Sequence, residues 1–467
     1  MAIPSDGWLT LILYTFNSSL SGRSFFMTTF HFERRIFMKK RLASILLATS
    51  LLIPQTAVLA ADDQATVKVR VVGLNGLYKE QTVHVGQTGF KNTVGEVITM
   101  QKPTTMGALV TLLDQEKLTY EAKTVSFGSY ISKIDTLAEK TLNANSGWSV
   151  WVNGQAPNLS ADVAEIKDGD EVVWGYYDYT QTLFPQVNFS TTTPNVGTSF
   201  TVKVTAEQTT YDEEWNPTVS TVNIDQAAVH QANSATQLAL TNAEGVATIE
   251  AKQAGLLQLH IDKTDAATGV PQLIRTGTLN VLVGNPNASF NDLAGYNWAE
   301  SSILNLARKG VVIGAGNNDF QPKRAVTRAE LTKILALANG DLSFGGTASF
   351  RDVADNNGYK SFIQTVVQRG YMSGDQAGTF RPDSGLTREE LAVVLVRFSG
   401  LELSNTKNLV PFSDRETVSD WAQPYVKTAF DKGLMAGDAE NTFRPQATAS
   451  RAEVATAIVN VMNKLNK

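Results

Sequence analysis

The sequence predicts a multidomain chain: an α+β module, an all-β sandwich and a C-terminal set of three helical repeats. Residues 61–183 combine strand-like alternation with one helical stretch, residues 184–284 show alternation alone, and one motif recurs three times after residue 285. The chain has 467 residues, 43% of them hydrophobic, which is enough for three or four domains with cores of their own. It contains no cysteine, which excludes disulfides and thiolate metal sites.

The first 60 residues predict export. Residues 38–60 have a basic start, an apolar run from Leu42 to Ile53 and small residues before a cleavage site near Ala60, as in a secretory signal peptide. The apolar run is too short to span a membrane, so we expect no transmembrane segment after cleavage. Because the codons of Glu33, Arg34 and Arg35 can spell a ribosome-binding sequence ahead of Met38, we expect residues 1–37 to be a mis-called start.

Charge is distributed unevenly. Residues 61–284 hold 14 basic and 24 acidic residues, whereas residues 285–467 hold 20 and 19. The acidic front half argues against nucleic acid as a partner.

In residues 61–183, strand-like runs flank the helical stretch "TMGALVTLLDQEKL", and Val152-Asn153-Gly154 is a strong hairpin signal. Aromatic residues crowd these strands. They offer either an ordinary core or a possible ligand surface, and the sequence leaves both alternatives open. The four that would form the surface are Trp148, Trp151, Trp174 and Tyr176.

The segments "GWSVWVNG" (147–154) and "DGDEVVW" (168–174) resemble an uncharacterised family of bacterial surface modules. That family is related to the β-grasp-like C-terminal domain of the cobalamin carrier transcobalamin. The resemblance implies a β-grasp-like fold and, as an alternative function, capture of a corrinoid or other small ligand. His84 is the only histidine of this block, and we expect it to be structural rather than an axial ligand to a cobalamin.

Residues 184–284 alternate apolar and polar residues between Gly, Asn and Pro turns, which predicts a β-sandwich. The run "VATIEAKQAGLLQLHI" (246–261) resembles bacterial immunoglobulin-like spacer domains. Because His84, His230 and His260 are far apart in sequence, we expect neither a zinc site nor a Ser-His-Asp triad. We therefore expect that the protein binds no metal ion and is not an enzyme.

The C-terminal repeat has units of about 60 residues. Phe290, Phe350 and Phe412 start the units, and a glycine closes the first helix of each at Gly310, Gly370 and Gly433. The predicted units are residues 285–345 (unit 1), 346–407 (unit 2) and 408–467 (unit 3). One unit is too small to bury both helix faces, so we expect the three to pack together.

A Phe-x-Pro loop precedes the second helix of each unit, and that helix starts with a capping box. The capping residues are Thr327 with Glu330, Thr387 with Glu390, and Ser450 with Glu453. An arginine follows each cap, at Arg328, Arg388 and Arg451, although a cation there faces the positive end of the helix dipole. The arginines are either solvated or, beside free backbone N–H groups, sites for a carboxylate or phosphate.

These repeats resemble S-layer homology domains. The resemblance implies an all-α, three-pronged unit with pseudo-three-fold repeats that binds secondary cell-wall polymers, often carrying pyruvate ketals, in grooves between repeats. By that resemblance Arg328, Arg388 and Arg451 would contact the anionic sugar. Trp298 and Trp421 would line two of the grooves, and Gly358 takes the corresponding position in unit 2.

We therefore predict a secreted, non-enzymatic protein in the cell wall or S-layer of a Gram-positive-type bacterium. The repeats would attach it non-covalently to wall polysaccharide, and the front modules would be displayed outward. Ligand capture by the front module is the alternative. A hydrolase has only the outward-facing location in its favour.

Overall fold

The computed structural model describes residues 63–466 except 75, 215, 233, 235 and 405–409. These residues belong to one compact unit, Val58–Lys467. The predicted mis-called start and signal peptide lie outside the described residues. The chain is multidomain and mostly β-sheet, with seven α-helices in its described part, and none of those helices is long and apolar enough to cross a membrane.

The front module is built on a four-stranded sheet of order β2-β1-β9-β8, in which β1 and β9 run parallel. Helix α1 packs on this sheet; its first turn is capped by Thr104, whose hydroxyl accepts from the Gly107 N–H. The elements are β1 (Ala65–Gly73), β2 (Gly76–Val85), β3 (Thr88–Lys91), β4 (Val97–Met100), α1 (Thr105–Glu116), β5 (Tyr120–Val125), β6 (Gly128–Ile134), β7 (Leu137–Ala138), β8 (Ser146–Val152) and β9 (Glu171–Asp178).

The hairpin signal at Val152-Asn153-Gly154 marks a tight two-residue turn, as predicted. Asn153 and Gly154 have positive φ, and Val152 and Gln155 exchange both backbone hydrogen bonds, at 2.8 and 3.0 Å. The pairing ends after this one bridge, and the strand that continues along β8 is β9. The Asn153 side chain closes this loop, since it accepts from the Glu171 N–H at 2.9 Å and donates to Asp170 at 2.8 Å.

The middle module has two sheets around one core, consistent with the predicted immunoglobulin-like sandwich. One sheet has the order β10-β11-β12 with β15 on β11, and the other β14-β13-β16-β17 with β18 on β16. The strands are β10 (Pro185–Phe189), β11 (Ser199–Tyr211), β12 (Pro217–Asn223), β13 (Ala228–Gln231), β14 (Gln237–Leu240), β15 (Val246–Glu250), β16 (Gly255–Thr264), β17 (Pro271–Leu273) and β18 (Leu279–Val283).

In the described residues of the C-terminal part, six α-helices share one hydrophobic core, as expected from the small size of each unit. Helix α2 packs against α7, α3 against α4, and α5 against α6, so the first helix of one unit lies on the second helix of another. The helices are α2 (Asn297–Arg308), α3 (Arg328–Ala338), α4 (Lys360–Gln368), α5 (Arg388–Ser399), α6 (Gln423–Asp431) and α7 (Arg451–Lys464).

The front module also rests on the sandwich. Trp151 is buried together with Val72, Val173 and Ile274, and Ile274 belongs to the sandwich segment. Trp151 is therefore covered by the neighbouring module rather than open to solvent.

Candidate functional site

The Phe-x-Pro loop of each unit is held by an aspartate near the start of that unit. In unit 2 the Asp352 carboxylate accepts from the backbone N–H of Phe380 at 2.8 Å and of Arg381 at 2.7 Å. Asp292 and Asp414 do the same for the loops of units 1 and 3. This clasp keeps the residue after the phenylalanine in the left-handed conformation at Gln321, Arg381 and Arg444.

The second helix of each unit begins with a capping box. The hydroxyls of Thr327, Thr387 and Ser450 accept from the N–H three residues later. The side chains of Glu330, Glu390 and Glu453 in turn accept from the capping residue's own N–H.

The first two N–H groups of these helices are not free. In α3 the Arg328 N–H donates to the Ser384 carbonyl at 2.8 Å, and the Ala329 N–H donates to the Pro382 carbonyl at 2.9 Å. Helices α5 and α7 repeat this pattern on the loops of units 3 and 1. The expectation of free N–H groups beside each arginine is therefore wrong, because the next unit's loop supplies carbonyls that the local sequence could not reveal.

Each arginine side chain also crosses to another unit. We call each contact between an arginine and the next unit's Phe-x-Pro loop a seam, named by its arginine. In every seam Nε and Nη2 donate to two backbone carbonyls: Arg328 to Phe380 (2.7 Å) and Ser373 (2.8 Å), Arg388 to Phe443 (2.6 Å) and Ala436 (2.8 Å), and Arg451 to Phe320 (2.8 Å) and Ile313 (3.1 Å). Unit 1 thus reaches unit 2, unit 2 reaches unit 3, and unit 3 returns to unit 1.

The guanidinium groups stack on the phenylalanines of the loops that they bind. Their carbon atoms Cζ lie 4.7, 4.9 and 4.4 Å from the rings of Phe380, Phe443 and Phe320. Burial lowers the pKa of all three arginines from the ordinary value. The carbonyls and the phenylalanine ring of the next unit stabilise a cation at the helix start. This contact explains why arginine recurs at that position.

The Arg388 seam differs from the other two. Its Nη1 donates to the Glu453 carboxylate at 2.6 Å, and Arg444 reaches the same carboxylate at 2.8 Å. Burial acts to raise the pKa of Glu453, but hydrogen bonds from Ser450 and the charge of Arg388 outweigh it, so this pKa lies below its ordinary value. Arg388 is only 4% exposed and fully engaged.

Arg328 and Arg451 each keep one nitrogen available. Among the described residues, Nη1 of neither arginine has a hydrogen-bond acceptor, and neither Nη1 is sealed from solvent. Each of these two seams therefore contains one oriented, unpaired donor of a positively charged group, although the Arg328 side chain as a whole is buried.

The predicted aromatic residues of the repeats are exposed. Trp298, in the first turn of α2, is 55% exposed, and Trp421, two residues before α6, is 54% exposed. In unit 2, a Cβ placed on Gly358 would meet no atom of the described, non-adjacent residues within 4 Å, but the next residue, Tyr359, lies near Glu330, Arg324 and Arg451. The position without a tryptophan thus belongs to the Arg451 seam, where Tyr359 supplies a half-buried ring.

The aromatic residues predicted for the front module are buried. Trp148, Trp151, Trp174 and Tyr176 are at most 8% exposed. The polar atoms of three of them bind backbone carbonyls: Trp148 Nε1 donates to Leu137, Trp174 Nε1 to Thr105 and Tyr176 Oη to Ala138. These contacts are those of a core and not of an open ligand surface.

An open groove nevertheless lies beside this core. It has a volume of about 480 Å³ and is bordered by one edge of Trp148 and by rings that the sequence analysis did not single out. Phe127 and Tyr179 are 79% and 60% exposed. The rings that line it are Phe127, Tyr130, Trp148, Tyr177 and Tyr179.

Comparison with known families follows this division of the chain. Residues 289–332, 349–392 and 411–455 match the S-layer homology domain. The C-terminal part of the chain carries three S-layer homology repeats. Residues 103–178 match a domain of unknown function, DUF4430. The resemblance of the repeats to S-layer homology domains and that of the front module to an uncharacterised family are thereby confirmed.

Curated relatives share only part of their length with the chain. It is similar to a cellulosome-anchoring protein of Acetivibrio thermocellus (35% identical, 30% of this chain, 32% of the relative). It is also similar to a surface-layer 125 kDa protein of Lysinibacillus sphaericus (29% identical, 43% of this chain, 17% of the relative). A third relative is an amylopullulanase of Thermoanaerobacterium thermosulfurigenes (32% identical, 43% of this chain, 11% of the relative). The repeats and the S-layer relatives support a location at the cell wall or S-layer. A structure of haptocorrin in complex with Cbi covers 25% of the chain at 14% identity with a TM-score of 0.18.

Proposed function

We propose that the protein is a secreted, non-enzymatic surface protein whose three S-layer homology repeats bind an anionic secondary wall polymer and so display the front modules. The unpaired Nη1 of Arg328 and of Arg451 carries this proposal, since each is oriented by two carbonyl contacts and a stacked ring. The repeats form an all-helical, three-pronged unit with a pseudo-three-fold arrangement, and one polymer site lies at each seam.

The chemistry of the seams suits a carboxylate carried by a sugar, such as a pyruvate ketal. A guanidinium that is already fixed loses little side-chain entropy when it binds, so one charge-assisted hydrogen bond is more favourable than one from a solvated arginine. Trp298 and Trp421 offer exposed ring faces for the apolar faces of sugars.

The three seams are unequal in this proposal. In the Arg388 seam Glu453 already occupies the Nη1 that a polymer carboxylate would need. We therefore expect the Arg388 seam to contribute least, and the other two to act together on a repeating polymer.

Retention on wall sacks tests the proposal without disturbing the seams. The variants are Trp298→Ala and Trp421→Ala, since both residues are more than half exposed, and the control is Phe127→Ala, an exposed ring of the front module. We expect the parent and the control to pellet with intact sacks and to stay soluble with sacks stripped of the polymer. Each tryptophan variant should be retained more weakly. If the double tryptophan variant is retained as well as the parent, the tryptophans do not belong to the binding site. If the parent is retained on stripped sacks as well as on intact sacks, polymer binding is refuted.

A second function, capture of a corrinoid or other small ligand by the front module, is favoured only by the open aromatic groove. Both His84 ring nitrogens are engaged, Nδ1 with Thr66 at 2.8 Å and Nε2 with Thr347 at 2.6 Å, so we expect no histidine ligand to a bound cobalt. Titration with cobalamins, with Tyr179→Ala as the groove variant and Trp298→Ala as the control, decides this. If no corrinoid binds, corrinoid capture is refuted.

A further inference from the structure

Two histidines and one aspartate meet on the sandwich. His230 on β13 is directly opposite His260 on β16 in the antiparallel pair, and Asp262 follows two residues after His260 on the same face. His230 Nε2 lies 3.5 Å from one Asp262 oxygen, and His260 Nε2 lies 3.6 Å from the other. The two imidazole rings are stacked at 4.9 Å with an interplanar angle of 12°.

We propose that His230, His260 and Asp262 form a site for Zn²⁺ or a divalent ion of similar ligand preference. The three potential ligand atoms lie within 4.8 Å of one another, and this is the one such group in the described part of the chain. A tetrahedral zinc with bonds of about 2.0–2.1 Å holds its ligand atoms roughly 3.3 Å apart. Each imidazole Nε2 is already close to that separation from one oxygen of Asp262, but the two distances go to different oxygens. Binding through one oxygen therefore requires a small rotation of the carboxylate and an approach of the two imidazole nitrogens.

The surroundings of His260 bear on metal binding. His260 is 7% exposed, and the nitrogen that faces Asp262 is its Nε2. Among the described residues its other nitrogen, Nδ1, has no hydrogen-bond partner, so no outer contact orients this ring, which favours modest metal affinity. The Asp262 side chain is 31% exposed, which leaves a path for the ion and room for a water as fourth ligand.

Imidazole nitrogens select the kind of ion. Two nitrogens and one carboxylate oxygen suit Zn²⁺, Cu²⁺ or Ni²⁺, whereas Ca²⁺ and Mg²⁺ require oxygen ligands. The positive charge of Arg275 opposes the binding of a cation, since Arg275 lies close enough to His260 to interact with it electrostatically. We therefore expect weaker binding than at a closed structural zinc site, and a gain in affinity in Arg275→Gln.

A bound ion would join β13 to β16 across the pair that His230 and His260 form. It would brace the sheet that connects the front module to the repeats, because β18, which leads to the first repeat, pairs with β16. Such a brace is structural, and it stabilises the folded chain by RT ln(1 + [M]/Kd), where [M] is the free metal concentration.

Calorimetric titration of the EDTA-treated full chain with ZnCl₂ tests the site. We expect one ion per chain, and a loss of affinity of at least about tenfold in His230→Gln and in Asp262→Asn. The matched control is His84→Gln, which removes a histidine outside the cluster and should leave zinc binding unchanged. Co²⁺ loading should give the visible absorption of a four-coordinate nitrogen and oxygen site in the parent and in His84→Gln, but not in His230→Gln or Asp262→Asn.

His230 and Asp262 are chosen because both side chains are partly exposed, so their replacement leaves the core intact. Circular dichroism checks that each variant is folded. The proposal is overturned if the parent binds no zinc, if folded His230→Gln and Asp262→Asn bind it as tightly as the parent, or if His84→Gln loses binding equally.

Discussion

Replacing Arg388 by alanine should destabilise the C-terminal repeats locally. The loss of stability should be larger than that caused by replacing Arg451 by alanine. Arg388→Ala removes the donors to the Phe443 and Ala436 carbonyls and leaves Glu453 with Arg444 as its remaining cation. An unpaired buried carbonyl costs about 1–3 kcal/mol, and breaking a buried ion pair costs about 3–5 kcal/mol. We therefore expect the free energy of local opening to fall by about 3–5 kcal/mol. Among the described residues Arg451 makes two carbonyl contacts and no ion pair, and the contact to the Ile313 carbonyl is exposed, so that carbonyl can bind water instead. Only one buried carbonyl is then left unpaired, and the replacement should cost about 1–3 kcal/mol.

Hydrogen exchange by mass spectrometry is the suitable assay, because the chain is multidomain and one global unfolding free energy is not defined. A loss of 3 kcal/mol corresponds to exchange roughly a hundredfold faster in peptides from α5. The matched control is Arg397→Ala, an exposed arginine of the same helix, for which we expect less than about 1 kcal/mol. If Arg388→Ala changes exchange no more than Arg397→Ala, the arginines do not hold the units together.

The remaining predictions concern two aspartates and the wall contact. Asp352→Ala should release the backbone of Phe380 and Arg381 and speed amide exchange in that loop by roughly a hundredfold, with α1 of the front module as the unaffected internal control. Burial acts to raise the pKa of Asp178, but hydrogen bonds from Thr180 and its neighbours outweigh it and lower the pKa to about 2. Asp178 therefore stabilises the fold above its unfolded pKa of about 3.9 and loses this effect as the pH falls toward 2, so Asp178→Asn should flatten an acid titration followed by near-ultraviolet circular dichroism. Retention on wall sacks should fall as salt rises, because exposed charged contacts are screened.

Local patterns predicted the local features of the repeats. The capping residues and the closing glycines can be read from spacings within about ten residues. The need for three units to share a core follows from the length of the repeat, about 60 residues. The clasp by Asp352 was also within reach, since a turn aspartate in the same place of each unit predicts bonds to backbone N–H groups.

The partners of the arginines could not be predicted this way. Three arginines in one position indicated a shared role, but the acceptors lie 45 or more residues away in sequence. The same limit hid the histidine cluster, because His230 and His260 are neighbours only through the register of β13 on β16. In the front module, composition placed Trp148, Trp151 and Trp174 on strands, and the tertiary fold decided that they are buried.

The proposal that seam arginines bind acid groups of a wall polymer is tested most directly by the affinity of the full chain for purified polymer before and after its ketal acid groups are removed by mild acid. We predict that removal weakens binding by at least about tenfold, because the Arg328 and Arg451 donors lose the carboxylates that they would bind. Equal affinity for the two polymers would contradict the account, since the oriented guanidinium groups would then serve only to join the repeats.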